Sequence, residues 1–221
     1  LLQEGYIAKK RPDDMAISCE PSKFAGKYGI IVATKGILRA HIHVYGGKQN
    51  AIDGAAWIAN RIHLLAAQIS NKHHPLLGPP SILLAMVKGD AAYCKLSLTR
   101  RMLPGESKEE AIWDYEAILR ALAVAMPELK TDLEIWPGFR PPMDVGTSGP
   151  AIVALQKAYQ VVKGTELPVV ADEGATDAAF VAEKSGLPMV IFGPGDIELI
   201  AATDEYVIME EVVDAVKVYA L

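Results

Sequence analysis

Two stretches of the sequence place residues that could do chemistry directly after a predicted strand. Glu20 follows a strand predicted over residues 14–19 and precedes Pro21, so its backbone should avoid the helical region and its carboxylate should be displayed at the strand end. Such a carboxylate suits a metal ligand or a general base, and the alternative is a surface glutamate before a turn. The charge-free run Leu187–Phe192 is typical of a central strand, and Gly193-Pro194-Gly195 after it lets the backbone approach a ligand, or simply turn.

Two further pairs of residues are candidates for binding an anionic group. Thr176 and Asp177 follow Gly174 at a predicted helix start, where free backbone N–H groups favour an anion, although Thr176 could equally be an ordinary N-cap. Arg100 and Arg101 end a predicted strand, where a guanidinium could bind a carboxylate through two hydrogen bonds. The alternative for both arginines is an ordinary charge at a strand end.

The histidines and cysteines are weaker candidates. His41 and His43 alternate on one face of a predicted strand and could share a metal ion. We favour the alternative, in which they belong to the polar face of an antiparallel sheet. Cys19 and Cys94 do not form a CxxC motif and are predicted to be buried thiols in a reducing cytoplasm.

Composition and charge exclude several function classes. The 221 residues carry 22 Lys and Arg against 27 Asp and Glu, a net charge of −5 without a basic tract, which argues against a nucleic-acid partner. No apolar run approaches the ~20 residues of a membrane span, and the amino terminus lacks the pattern of a secretory signal. The sequence therefore predicts a globular cytoplasmic protein that binds neither nucleic acid nor membrane.

The middle of the chain predicts one α+β unit. A strand over Ile37–Tyr45 is followed by a helix over Ala51–Ile69 with Asn50 as its N-cap, and then by two strand candidates. A capping box at Ser107–Glu110 begins a second helix, and a final strand covers Thr131–Trp136. The order β-α-β-β-α-β is the ferredoxin-like arrangement, with two helices on one face of an antiparallel sheet.

The residues on either side of this unit predict a second architecture. Strands and helices alternate from Pro150 to the end of the chain, which is typical of a three-layer α/β domain. The ferredoxin-like unit is thus predicted to be inserted into an α/β domain, with residues 36–142 as the insertion and residues 1–35 and 143–221 as the two parts of the α/β domain.

Taken together, seven motifs resemble those of the two-zinc exopeptidases and deacylases. This family includes acetylornithine deacetylase, succinyl-diaminopimelate desuccinylase, aminoacylase and the glutamate carboxypeptidases. The motifs occur in the family's order and run Cys19-Glu20-Pro21-Ser22, Lys35-Gly36, Asn50-Ala51-Ile52, Arg100-Arg101-Met102-Leu103-Pro104-Gly105-Glu106, Gly174-Ala175-Thr176-Asp177-Ala178, Phe192-Gly193-Pro194-Gly195 and Asp204-Glu205-Tyr206-Val207. The resemblance extends from about residue 3 to the end of the chain.

The resemblance implies a function and a role for several residues. It implies hydrolysis of an amide bond in an N-acyl amino acid or small peptide by a water molecule activated between two metal ions, zinc by expectation, with cobalt or manganese as alternatives. Glu20 would be a metal ligand, and Arg101, Thr176, Asp177 and Gly193 would bind the substrate. The inserted unit would be the family's lid, through which two copies form a homodimer.

The sequence also departs from the family. The amino-terminal portion that supplies a histidine, a bridging aspartate and a pair of glutamates in the family is absent from these 221 residues, and Ala201 stands where the family has its last metal-binding histidine. Glu20 is then the one remaining family ligand, so we expect these residues alone to be inactive. The alternative is a catalytically inactive relative that acts as a ligand-binding or dimeric interaction protein.

Overall fold

The chain divides into two units in a computed structural model that describes residue 11 and residues 14–221. The first unit holds the described residues up to Thr34 together with Met143–Leu221, and the second is Lys35–Pro142. Residues 1–10, 12 and 13, at the start of the predicted segment 1–35, lie outside the described residues.

The helices and strands follow one another in a regular order along the chain. They are β1 Ala16–Ser18, β2 Lys23–Phe24, β3 Lys27–Tyr28, β4 Ile30–Thr34, β5 Gly36–Tyr45, α1 Ala51–Ile69, β6 Ser81–Gly89, β7 Tyr93–Met102, α2 Lys108–Ala125, β8 Lys130–Ile135, β9 Met143–Asp144, α3 Pro150–Lys163, β10 Val169–Asp172, α4 Asp177–Ser185, β11 Met189–Ile191, a 3₁₀ turn at Ile197–Leu199 and α5 Met209–Ala220.

The first unit is built on a mixed five-stranded sheet in the order β1-β11-β4-β10, with β9 added alongside β4. Residues Met189–Ile191 of the apolar run form β11, which lies between β1 and β4, so the predicted central position of this strand is confirmed. β11 runs parallel to β1 and antiparallel to β4. Because β1 and β11 are parallel, the residues that follow them, including Glu20 and Gly193, meet at the same edge of the sheet.

Helices cover both faces of this sheet. On one face, Met189 and Ile191 of β11 pack with residues of α4 in a shared apolar cluster. Phe192, which follows β11, instead makes edge-to-face contacts with Tyr159 of α3 and Tyr219 of α5. The first unit is therefore a three-layer α/β structure, which confirms the predicted fold class.

The second unit is a four-stranded antiparallel sheet in the order β6-β7-β5-β8 with α1 and α2 on one face. Alternate residues of β5 point toward the two helices and are 0% exposed: Leu38, Ala40, Ile42 and Val44. The residues between them are half-buried on the other face and are polar: Arg39, His41 and His43. This alternation is what an antiparallel sheet covered on one side produces.

Local hydrogen bonds fix the starts of both helices of the second unit. The Asn50 side chain accepts a hydrogen bond from the Ile52 N–H at 2.8 Å, so Asn50 is the N-cap of α1. Ser107 and Glu110 form the reciprocal hydrogen bonds of a capping box at the start of α2.

No helix in the described part of the chain is long and apolar enough to cross a membrane.

Candidate active site

The carboxylate of Glu20 lies two residues beyond the end of β1 and is held by two hydroxyl groups. Its Oε1 accepts a hydrogen bond from Ser18 Oγ at 3.0 Å and another from Thr176 Oγ1 at 2.6 Å. Both donors bind the same oxygen, so the orientation of the carboxylate is fixed without using Oε2. The carboxylate is half-buried and held by these bonds, and its role as a metal ligand remains a prediction.

Thr176 connects this carboxylate to α4. Its side chain is 5% exposed and its Oγ1 accepts a hydrogen bond from the Ala178 N–H at 3.1 Å, which makes Thr176 the N-cap of α4. The hydroxyl therefore donates to Glu20 and caps the helix at the same time. Asp177 is the first residue of α4. Substrate binding by Thr176 and Asp177 remains a prediction.

Replacing Thr176 with valine should lower the free energy of unfolding by about 2 kcal/mol, because it removes a helix cap and a hydrogen bond to a carboxylate at nearly constant volume. Thr176→Ser keeps both hydrogen bonds and should cost less than about 1 kcal/mol. Urea denaturation measures both values, with Thr165→Val, at an exposed threonine, as the control. Equal stability of the Thr176→Val and Thr165→Val proteins would show that the hydrogen bonds of the Thr176 hydroxyl do not stabilise the fold.

The loop Gly193-Pro194-Gly195 lies directly on the strand end that carries Glu20. A Cβ atom at Gly193 would lie 2.6 Å from the carbonyl oxygens of both Cys19 and Glu20, so only glycine fits there. The structure thus brings Gly193, Thr176 and Glu20 together. The Gly193 N–H itself donates to Ser22 Oγ at 3.2 Å, and a role of Gly193 in substrate binding remains a prediction.

Three residues of this site were missed by the sequence analysis. Ser18 could have been found, because it lies only two residues before Glu20, and in an extended segment such residues point to the same side. Ser22 is 0% exposed and bonds to the Gly193 backbone, and Glu211 accepts a hydrogen bond from the Gly195 N–H at 3.2 Å. Ser22 and Glu211 make these contacts across long sequence separations, which leave no local signal.

The two strand-end arginines lie in the second unit and differ in their surroundings. Arg100 is 2% exposed on the helix side of β7 and forms ion pairs with Asp114 at 2.7 Å and Glu106 at 3.4 Å. Its role is structural, because a buried guanidinium requires such partners. Arg101 is half-buried on the opposite face of the sheet, and substrate binding by Arg101 remains a prediction.

The two histidines of β5 contact each other through their rings, and His43 also bonds to neighbouring side chains. His43 Nδ1 lies 2.6 Å from the Tyr93 hydroxyl and Nε2 lies 3.1 Å from the Glu134 carboxylate. Burial, followed by the positive charge of Lys95, lowers the pKa of His41. These contacts support the interpretation of His41 and His43 as parts of a polar sheet face.

The two cysteines differ in exposure. Cys94 is 2% exposed, as predicted, and burial followed by the charge of Asp90 raises the pKa of its thiol. Cys19 is exposed, so the prediction that both thiols are buried is wrong. Cys19 lies one residue beyond β1 and two residues after Ile17, which is also exposed, at 36%.

The described residues do not make up a metal centre by themselves. Within residue 11 and residues 14–221, no group of three or more His, Cys, Asp or Glu side chains could hold a metal ion. Ala201 is exposed, its backbone has a left-handed φ of 59°, and its N–H donates to Glu205 at 3.0 Å, but its methyl group cannot coordinate a metal. Glu20 fits as one oxygen ligand, and the set is incomplete without others.

Comparisons with known proteins give consistent results. The family model for peptidase family M20/M25/M40 matches residues 2–221. The chain is 26% identical over 137 residues to the N-formyl-4-amino-5-aminomethyl-2-methylpyrimidine deformylase of Bacillus subtilis, which covers 57% of this chain and 32% of that protein. The match therefore spans about a third of the length of this curated relative.

Two solved structures share the fold of the chain. Human carnosine dipeptidase 1 has a TM-score of 0.72 at 12% identity, covering 94% of this chain and 58% of that chain. An M20 family metallo-carboxypeptidase of Sulfolobus solfataricus has a TM-score of 0.70 at 14% identity, covering 94% of this chain and 61% of that chain.

Proposed function

Because the chain belongs to peptidase family M20/M25/M40, whose members are metal-dependent hydrolases, we propose that the full-length protein hydrolyses an amide bond. The observation that carries this proposal is the Glu20 carboxylate, which Ser18 and Thr176 orient at the sheet edge where the Gly193 loop lies. An oriented carboxylate beside a tightly packed glycine loop is suited to binding a metal ion near a small ligand.

The proposed substrate is an N-acyl amino acid or a small peptide. The Bacillus subtilis relative is a deformylase, and the two similar structures are a dipeptidase and a carboxypeptidase. In this proposal the backbone around Thr176, Asp177 and Gly193 binds the substrate, and a substrate-binding role is proposed separately for the Arg101 guanidinium of the second unit.

We further propose that two zinc ions serve the reaction and that Glu20 is a ligand of one of them. The other ligands would come from parts of the full-length protein beyond these 221 residues, and we expect these residues alone to be inactive. The test compares hydrolysis of N-formyl and N-acetyl amino acids and of dipeptides by the full-length protein and by residues 1–221. The proposal expects hydrolysis by the full-length protein, its loss with a chelator and its return with zinc; hydrolysis by residues 1–221 would contradict the assignment of ligands.

A second candidate function is supported by Ala201, which cannot coordinate a metal. In this alternative the full-length protein binds an N-acyl amino acid or a partner without cleaving it. Calorimetric binding of such a ligand with no hydrolysis of any compound in the same panel would favour this candidate. An increase in zinc affinity of the full-length protein on Ala201→His substitution would support the loss of a ligand at this position.

We propose that the second unit mediates a homodimer through β6. Among the strands that the structure describes, β6 pairs with β7 alone, and it exposes Leu83, Met86 and Val87 by 61%, 41% and 51%. An apolar strand with an unpaired edge is a template for pairing with another strand. A second copy of β6 would extend the sheet from four strands to eight.

The double substitution Leu83→Lys and Val87→Lys should convert the full-length dimer to a monomer, because both side chains are exposed and the charges would repel across the paired strands. Multi-angle light scattering measures the mass of each variant in solution. Leu64→Lys, at a residue of α1 that is 54% exposed, is the matched control and should remain dimeric. A doubly substituted protein that stays dimeric would place the interface elsewhere.

A further inference from the structure

The loop Gly193-Pro194-Gly195 is anchored at its first residue by Ser22. The Gly193 N–H donates to Ser22 Oγ, and the Gly193 carbonyl accepts from both the N–H and the hydroxyl of Ser22, each at 3.2 Å. Ser22 is 0% exposed. The first glycine of the loop is thus held from the segment that directly follows Glu20.

The last residue of the loop is anchored by a different pair of residues. The Gly195 N–H donates to Glu211 Oε2 at 3.2 Å, and the Gly195 carbonyl accepts from the Lys23 backbone N–H at 3.2 Å. The side chains of the same two residues form an ion pair, with 2.5 Å between Lys23 Nζ and Glu211 Oε1. Both backbone hydrogen-bonding groups of Gly195 are therefore bound, the carbonyl by Lys23 and the N–H by Glu211.

The ion pair is shielded from solvent. The side chains of Lys23 and Glu211 are 14% and 17% exposed. Burial is the largest single influence and would raise the pKa of Glu211, but the hydrogen bond and charge of Lys23, together with Tyr28 and the Gly195 N–H, lower it overall, so the carboxylate is ionised at neutral pH. A charge-assisted hydrogen bond to the Gly195 N–H is stronger than one to a neutral acceptor.

A place in the first turn of α5 does not by itself explain why Glu211 contacts Gly195. Glu210 and Glu211 both lie in the first turn of α5, where negative charge is favourable, and Ile208 before it makes no side-chain capping bond. Glu210 is exposed, whereas Glu211 points inward to Lys23 and Gly195. The two residues thus form a matched pair of equal charge in one helical turn, of which one contacts the loop.

We propose that Glu211 is a positioning residue of the active site, which holds the Gly193–Gly195 loop against the strand end that carries Glu20. Even one added Cβ atom at Gly193 would clash with the Cys19 and Glu20 carbonyl oxygens, so the loop has no room to move closer to this strand end. Release of Gly195 lets the loop move away and loosens the contact with the Glu20 backbone. The inference rests on the proposed hydrolase function, because the loop matters for catalysis only if this edge is the site of hydrolysis.

The test uses the full-length protein with four sets of substitutions. Glu211→Met removes the carboxylate at similar volume, and the double variant Lys23→Met with Glu211→Met also avoids leaving an unpaired charge, so that it folds even if the single variant does not. Glu211→Gln retains an acceptor for the Gly195 N–H, and Glu210→Met is the matched control. Hydrogen exchange of the peptide spanning residues 193–196 and steady-state kinetics are measured for each folded variant.

The proposal predicts faster exchange of the loop amides, by about tenfold, and a fall in kcat of roughly 10- to 100-fold in the double variant, because small misplacements near a reacting centre are costly. Glu211→Gln should recover part of both losses, and Glu210→Met should match the unaltered protein. A folded double variant with unchanged loop exchange and unchanged kcat would overturn the proposal. Absence of hydrolysis by the unaltered protein would overturn the proposed function instead, and loop exchange alone would then decide whether Glu211 holds the loop.

Discussion

Replacing Glu20 with glutamine should lower kcat of the full-length protein by about a thousandfold or more, the scale seen when an essential group of a catalytic site is removed. Glutamine has nearly the same size and its oxygen can still accept hydrogen bonds from Ser18 and Thr176, so the fold should be retained. A neutral amide is a far weaker metal ligand than a carboxylate. The same variant should therefore also bind fewer metal ions per chain.

The matched control for this experiment is Glu183→Gln, which makes the same change at an exposed residue of α4. Its kcat and metal content should equal those of the unaltered protein. Steady-state kinetics and elemental analysis on the same samples separate loss of chemistry from loss of metal. A Glu20→Gln protein with full activity would remove Glu20 from the site.

Replacing Glu106 with alanine should lower the stability of the second unit by about 3–5 kcal/mol, the usual cost of leaving one member of a buried ion pair without its partner. The Arg100 and Glu106 side chains are 2% and 6% exposed. Glu106 also accepts a hydrogen bond from the Leu103 N–H at 2.8 Å and pairs with Lys72 at 2.9 Å. The substitution removes all three contacts, although Arg100 keeps its bond to Asp114.

The control is Glu116→Ala, since Glu116 pairs with Arg120 on the exposed side of α2. Surface pairs of this kind contribute about 0–1 kcal/mol, so the control should be close to neutral. Denaturant unfolding followed by Trp fluorescence measures the difference. Similar losses for Glu106→Ala and Glu116→Ala would contradict the structural role assigned to the buried cluster.

The contacts of Glu106 with Arg100 and Lys72 should also make the unfolding free energy depend on pH in acid. Burial tends to raise the pKa of Glu106, but the Leu103 N–H, Lys72 and Arg100 together lower it below its usual range. A lowered pKa in the folded state contributes stability that is present above the unfolded-state value of about 4.3 and is lost as pH falls through the folded-state value. Unfolding free energies should therefore fall more steeply below about pH 4.3 in the unaltered protein than in Glu106→Ala.

The sequence predicts best those features that depend on local interactions. The helix α1 begins and ends where its apolar stripe and Asn50 place it, and the capping box of α2 involves residues three positions apart. The central position of β11 follows from an apolar run without charge, because only a strand covered on both faces tolerates such a composition.

The contacts that build the candidate site join residues that are far apart in the sequence. Thr176 and Glu20 are 156 positions apart, and Ser22 and Gly193 are 171 positions apart. No periodicity or spacing pattern reports a hydrogen bond across such separations. The resemblance placed Glu20, Thr176 and Gly193 in one site, but only the fold shows that the Thr176 hydroxyl binds Glu20 and that Glu211 reaches Gly195.

The exposure of Cys19 was missed for a related reason. An apolar stretch before Glu20 predicts a buried strand, whereas Ile17 in β1 and Cys19 just after it are both exposed in the structure. Burial of an individual side chain depends on which neighbours cover each face of its strand, and this information is not local.

The metal content of the full-length protein, determined on the same sample as its intact mass and its amide hydrolase activity, tests the central claim most directly. We predict about two zinc-like ions per chain, as in two-metal hydrolytic sites, with hydrolysis lost on their removal and restored on their return. A full-length protein that binds no metal, or that cleaves its substrate equally well after metal removal, would contradict the assignment of a metal-dependent hydrolase with Glu20 as a ligand.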